Sequence, residues 1–262
     1  YNERVTVSKS LEIAGTTTDK TLYILEGNGL AGTGRGISIP SGVTNVTIRN
    51  LTVQNYTGGA NDAGIYAANG NNNLVVENVA LDANTGGRAG LYVNGPVDNV
   101  LINEVMSMNH NSPVQRGIVI WNGHKSNITI TNCVVSDNSC CGIELQDGTA
   151  SGVTITNNTL TDNADNGIGL LTLNGLTGAN LIADNIVTDC GRYGIEVKNP
   201  EGNGMTSGLG SIVVEDNVVS FTASAGMNNR DHAGIAVFRR SMLAGNSGGY
   251  PDIPTGVVVR NN

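Results

Sequence analysis

The stretch GRYGIEVKNPEGNGM, residues 191–205, brings Arg192, Tyr193, Glu196 and Lys198 within seven residues, in a chain that is only 14% charged and 4% aromatic. A guanidinium, a phenol, a carboxylate and an amine at this spacing can exchange protons and hold developing charge, so they read as a reactive centre. The same four groups could also stand on a solvated turn. A second chemistry, hydrolysis, would need two carboxylates facing each other across a bond, and Glu144 and Glu196 are the candidate pair. Which chemistry is available depends on the elements that carry these residues.

Composition narrows those elements. The 262 residues include 36 glycines and abundant Asn, Thr and Val, a mixture that disfavours helices. At 39% hydrophobic residues the chain is too apolar to be disordered. A net charge of -8 with 14 Lys and Arg gives no broad basic face, which argues against nucleic acid as a partner. No run of 18 apolar residues occurs, so no membrane span is expected. Tyr1 and the final VVVRNN read as cuts within a pattern, and the chain is expected to be one domain, 1–262, truncated from a longer protein. The spacing of Cys133, Cys140, Cys141 and Cys190 matches no zinc motif. A bridge between the adjacent Cys140 and Cys141 would be strained, so free thiols are expected, with Cys133 packed inside.

Self-similarity supplies the architecture. A glycine followed by Ile or Leu recurs at Gly36, Gly64, Gly90, Gly117, Gly142, Gly167, Gly194 and Gly234, at intervals of 25 to 28 residues and then 40. A second strand pattern follows each, as in VTIRNLTV from Val46, ITITNCVV from Ile128 and IVVEDNVV from Ile212. Each coil is too short to own a core, but coils stacked about 4.8 Å apart pair every strand and bury an apolar column on each face. Alternation then sends Ile195 and Val197 inward and Glu196 and Lys198 outward. One inward column, Leu51, Val79, Val105, Cys133, Asn158, Asn185, Asn217 and Asn262, passes from apolar filling to stacked asparagine amides that can bond one another.

The outward faces carry the functional expectations. On the second strand they give Thr47, Val75, Leu101, Thr129, Thr154, Leu181, Val213 and Val258, too mixed for a flat threonine array. On the glycine-led strand they give Tyr66, Tyr92 and Trp121 on successive coils, then Glu144 and Gln146, then Glu196 and Lys198. Aromatic faces beside carboxylates and amides suit sugar rings. Long segments follow Lys198 and Phe238, where they would wall a cleft. Arg192, Lys198, Arg230, Arg239 and Arg240, with His232, form a local positive cluster that an anionic polymer would need. Asp137, Asp162 and Asp189 each lie five residues before a repeat glycine and stack on consecutive coils, where calcium could bridge them or Asx turns could use them.

The glycine-led repeat resembles the right-handed, single-stranded parallel β-helix of the pectate-lyase-like superfamily over nearly the whole chain. The resemblance implies an all-β solenoid of about eight to ten coils with longer loops in the C-terminal coils. YGIEVK is also similar to the Tyr-Gly-Phe-Asp-Pro-His segment of mannuronan epimerases and the related lyases, with Tyr193, Glu196 and Lys198 at the tyrosine, aspartate and histidine positions. This likeness implies removal of the C5 proton of a uronic acid in an acidic polysaccharide, by a lyase or an epimerase. Lys198, desolvated or crowded by Arg239, would be the base and Tyr193 would protonate the leaving oxygen, while Arg239 or Arg240 neutralises the carboxylate. Tyr66, Tyr92, Trp121, Glu144, Gln146, Arg192, His232 and Arg240 would hold the polymer. No cofactor is required by this chemistry. The expected setting is secreted or cell-surface, as a monomer or homotrimer. The competing readings are a non-catalytic adhesin or stalk module of a larger extracellular protein and a glycoside hydrolase built on the carboxylate pair.

Overall fold

A computed structural model describes residues 1–32, 34–172, 175–198, 211–222, 232–238 and 256–262. Their regular structure is β throughout, apart from one 3-10 turn at Lys20–Leu22. Nine short strands stack in chain order into a parallel sheet, from Val5–Thr6 through Ile37–Ile39, Ala63–Ala67, Ala89–Asn94, Arg116–Trp121, Ile143–Gln146, Ile168–Leu171 and Tyr193–Lys198 to Ala233–Phe238. A sixteen-stranded parallel sheet wraps the remaining faces, each strand pairing with its counterparts one coil away. The chain is therefore a right-handed parallel β-helix. From Ala63 to Ser220 it makes about six full turns, flanked by partial ones, rather than the eight to ten that the repeat suggests.

The register follows from the apolar columns. Ile37, Ile65, Leu91, Ile118, Ile143, Ile168 and Ile195 pair in succession, and all are fully buried. A one-residue slip would turn every member of such a column to solvent. The repeat glycine lets the coil close over this core. A Cβ on Gly117 would lie 2.2 Å from Val135 Cγ1 and 2.8 Å from the Gly142 carbonyl oxygen. The mixed outward column from Thr47 to Val258 also pairs as expected.

Polar ladders line the inner corners. Asn158 Nδ2 donates to Asn185 Oδ1 at 2.9 Å, Asn185 to Asn217 at 2.8 Å, and Asn217 to Asn262 at 2.8 Å. The Cys133 amide donates to Asn158 Oδ1 at 2.9 Å, so the ladder begins where the apolar filling ends. A second corner carries Asn84, His110, Asn138 and Asn163, joined through backbone amides and through an Asn138–Asn163 bond of 2.8 Å. His110 Nδ1 accepts from the Asn84 amide, and its Nε2 faces Ser107 Oγ, whose proton goes to the Gly117 carbonyl. That arrangement makes the ring neutral with Nε2 protonated, and burial pushes its pKa down to about 3.

Candidate functional site

The outer face of the nine-stranded sheet holds two adjoining regions. Pairing sets Ser38, Tyr66, Tyr92, Val119, Glu144, Gly169, Glu196 and Ala236 in one column. Asn94, Trp121, Gln146, Leu171 and Lys198 form the neighbouring column. This corrects the expected alignment of Trp121. The tyrosines lie two residues past their glycines but Trp121 lies four past Gly117, so it flanks the tyrosine column. Trp121 and Lys198 do share a column, three coils apart, or about 14 Å between backbones.

In the first region aromatic rings alternate with arginines. The Tyr66 and Tyr92 rings meet edge to face with centroids 5.1 Å apart. The Arg35 guanidinium carbon lies 3.5 Å from the Tyr66 centroid, and that of Arg88 lies 3.9 Å from Trp121 and 5.5 Å from Tyr92. The Arg116 guanidinium carbon also lies near Trp121, 4.9 Å from its ring centroid. Partners hold these groups in place. Arg35 pairs with Asp62 at 2.8 Å, Arg88 donates to Asn61 at 2.8 Å, and Trp121 Nε1 donates to Asp147 at 2.6 Å. Two clefts open here. One of about 450 Å³ runs among Arg35, Tyr66, Arg88, Tyr92 and Trp121, and one of about 480 Å³ lies beyond the Arg88–Trp121 stack, against Ser112, Val114 and Arg116. Arg35, Arg88 and Arg116 are absent from the sequence-derived site, although their signal was in the chain. Each stands one or two residues before a repeat glycine, in GRG, GRAG and QRG, as Arg192 does in GRYG.

The second region differs from its sequence reading. Glu144 and Glu196 stand on the outer face, as alternation requires, yet they are only 1% and 2% exposed. Side chains from neighbouring coils cover them. Arg116 donates to Glu144 at 3.1 Å and reaches Gln146 at 3.5 Å. Asn166 donates to Glu196, whose pKa burial raises, against the pull of Lys198 and Arg192. The carboxylate pair keeps its two-coil separation, about 9–10 Å between backbones. Glu144 is nevertheless tied into an ion pair, which leaves it poorly placed to activate water. Tyr193 is buried beneath Arg192, whose guanidinium carbon lies 4.5 Å from the ring centroid. Lys198, half-buried, is the member of the Tyr193–Glu196–Lys198 set that reaches solvent, and His232 is half-buried just before its strand. Arg239, Arg240, Arg230 and the loop segments 199–210 and 239–255 lie outside the described residues.

Asp137, Asp162 and Asp189 occupy successive left-handed corners, with φ of 55°, 54° and 53°, continuing a column that opens with Asn55, Ala83 and Asn109. Short Asx side chains tolerate this backbone. Asp162 has its pKa raised by burial and by the flanking Asp137 and Asp189, and Asp189 accepts from Thr222. Among the described residues, the His, Cys, Asp and Glu groups whose ligand atoms all lie within 4.8 Å of one another are Cys140, Cys141 and Glu144, not this column. All four cysteines are free and buried.

Comparison with known proteins supports the scaffold. The family profile described as "Right handed beta helix region" matches residues 4–177. No curated protein matches the sequence. Among solved structures, the periplasmic alginate epimerase AlgG is similar over 80% of this chain and 47% of its own, at 15% identity and a TM-score of 0.51. A point mutant of that epimerase gives 13% identity and a TM-score of 0.52, over 78% of this chain and 48% of its own. The AlgE4 A-module, a mannuronan C-5 epimerase of Azotobacter vinelandii, covers 98% of this chain and 85% of its own at 12% identity and a TM-score of 0.41. The chain thus spans about half the length of AlgG. Among the described residues no helix is long and apolar enough to cross a membrane.

Proposed function

The chain belongs to the right-handed β-helix family, and on that scaffold we propose that the arginine–aromatic face binds an acidic polysaccharide, which the Tyr193–Glu196–Lys198 end modifies at C5 of a uronic acid. The observation that carries the reading is the stacking of Arg35, Arg88 and Arg116 on Tyr66 and Trp121. Arg88, held by Asn61 between the two clefts, offers a carboxylate partner beside a flat apolar floor, while Arg35 and Arg116 already pair with Asp62 and Glu144; a polyuronate needs such a pairing and a neutral glucan does not. The column from Trp121 to Lys198 gives the polymer a continuous line to the candidate base. Lys198 takes the C5 proton, Tyr193 serves the leaving oxygen in an elimination, and Arg192 balances the charge of Glu196. Location outside the cytoplasm, in the periplasm or beyond the cell, belongs to the same reading.

The test uses polyuronate in deuterated water. Deuterium entering at C5, or the absorbance of a C4–C5 unsaturated product, reports proton abstraction, the first for epimerisation and the second for elimination. Lys198→Ala is expected to lower turnover by about 100-fold or more while binding persists. A second reading, a binding module without turnover, draws on the burial of Glu196 and Tyr193. Binding of polyuronate with neither exchange nor unsaturated product would select it. No preference for polyuronate over a neutral polysaccharide would overturn both.

A further inference from the structure

We propose that Cys140, Cys141 and Glu144 form a binding site for one divalent cation of the zinc class. Their ligand atoms all lie within 4.8 Å of one another, and all three residues are buried. The fold builds the cluster locally. The two cysteines close the turn before Gly142, and strand Ile143–Gln146 then turns Glu144 onto the same outer side. The two sulfurs are 3.5 Å apart. Two zinc–sulfur bonds of about 2.3 Å in tetrahedral geometry would set them about 3.8 Å apart, so a shift of a few tenths of an ångström admits the ion. A disulfide would have to draw them to about 2.0 Å across adjacent residues.

Charge favours the same occupant. Two thiolates and a carboxylate exceed a divalent ion by one negative charge, and Arg116, 3.1 Å from Glu144, supplies the balancing positive one. Arg116 can stay on Oε1 as an orienting partner while Oε2 turns to the ion. Sulfur donors select zinc-class ions over calcium or magnesium. Three protein donors leave the fourth tetrahedral position for water. Cys140, 7% exposed against 1% for Cys141 and Glu144, marks the side of entry. None of the three donor residues lines either cleft, and Arg116 joins their site to the second one.

The test is a titration of the reduced, chelator-stripped protein with Cd²⁺ as a spectroscopic probe, and with Zn²⁺ against a chromophoric chelator. One ion per chain is expected, with sulfur-to-cadmium charge-transfer absorption. A fluorescence change is expected at Trp121, the chain's one tryptophan, which Arg116 touches. Cys140→Ser and Cys141→Ser should each weaken binding more than about tenfold, and Cys133→Val should not. No charge-transfer band in protein whose thiols titrate as reduced would overturn the site. So would a band at full strength in Cys140→Ser, the variant at the solvent side and the one to rely on if Cys141→Ser fails to fold by circular dichroism.

Discussion

The coils before and after Cys133 use one scaffold in opposite ways. Up to Trp121 the outer face lines open clefts with arginines and rings, and the inner corner is filled by Leu51, Val79 and Val105. From Glu144 onward the outer face buries its carboxylates against Arg116 and Asn166, and the same inner corner becomes an asparagine ladder. Backbone register is shared throughout, so the contrast lives in side chains alone. It teaches that a parallel solenoid fixes where a residue stands on a face, while neighbouring turns decide whether it meets solvent.

The largest effect that would sharpen this contrast lies in the ladder. Asn185 donates to Asn217 and to the Ile155 and Ala183 carbonyls, and accepts from Asn158. Replacing it with the valine that serves the first half, Asn185→Val, orphans buried partners on both neighbouring coils. The expected loss is about 3 kcal/mol in urea unfolding. Val79→Ala, in the apolar half, should cost less, about 1–2 kcal/mol. Equal losses would mean that the two corners are energetically alike and that the contrast is one of composition only.

The second corner tests the same idea by pH. His110 is held neutral, with its pKa lowered from 6.5 to about 3. The unfolded chain therefore binds a proton below 6.5 that the folded chain refuses. Stability should fall as pH drops from 6.5 toward 3, by about 1.4 kcal/mol for each unit of pH. His110→Asn, which continues the column of Asn84, Asn138 and Asn163, should remove that slope. An unchanged slope in the variant would assign acid sensitivity to other groups.

Binding probes the outer face of the first half. Arg88 stacks on Trp121 and separates the two clefts, so Arg88→Ala should weaken polyuronate binding about tenfold and reduce its salt dependence. A Lys198→Ala variant measured beside it should bind as the parent does. If both variants lost affinity alike, the two regions would form one binding surface rather than a binding half and a reacting half.

What the sequence disclosed follows the same division. The repeat glycines, the inward columns and the ladder from Asn158 to Asn262 were legible, because a period of two and a fixed coil length determine which residues stack. The offset of Trp121 was also spelled out, four residues beyond its glycine. The arginine stacks were legible in GRG, GRAG and QRG but are easily passed over, since attention goes to the strand after the glycine and not to the corner before it. Burial of Glu144 and Glu196 was not legible. It depends on how the side chains of Arg116 and Asn166 reach across the face to the carboxylates, which alternation does not encode.

The smallest expected effect probes that buried carboxylate. Glu196 lies under Asn166 and Arg192 with its pKa raised by burial above the ordinary 4.5. The folded carboxyl keeps its proton more tightly than the unfolded one. Stability is therefore highest on the acid side of 4.5, falls as pH climbs through the raised value, and levels off once the group is ionised in both states. Glu196→Gln keeps an acceptor for Asn166 and removes the ionisation. Thermal unfolding should show parent and variant alike in acid, with the variant modestly more stable at neutral pH. A variant that is less stable at neutral pH would mean that Lys198 and Arg192 together outweigh the desolvation, and that Glu196 is held as an ion pair, as Glu144 is by Arg116 two coils earlier.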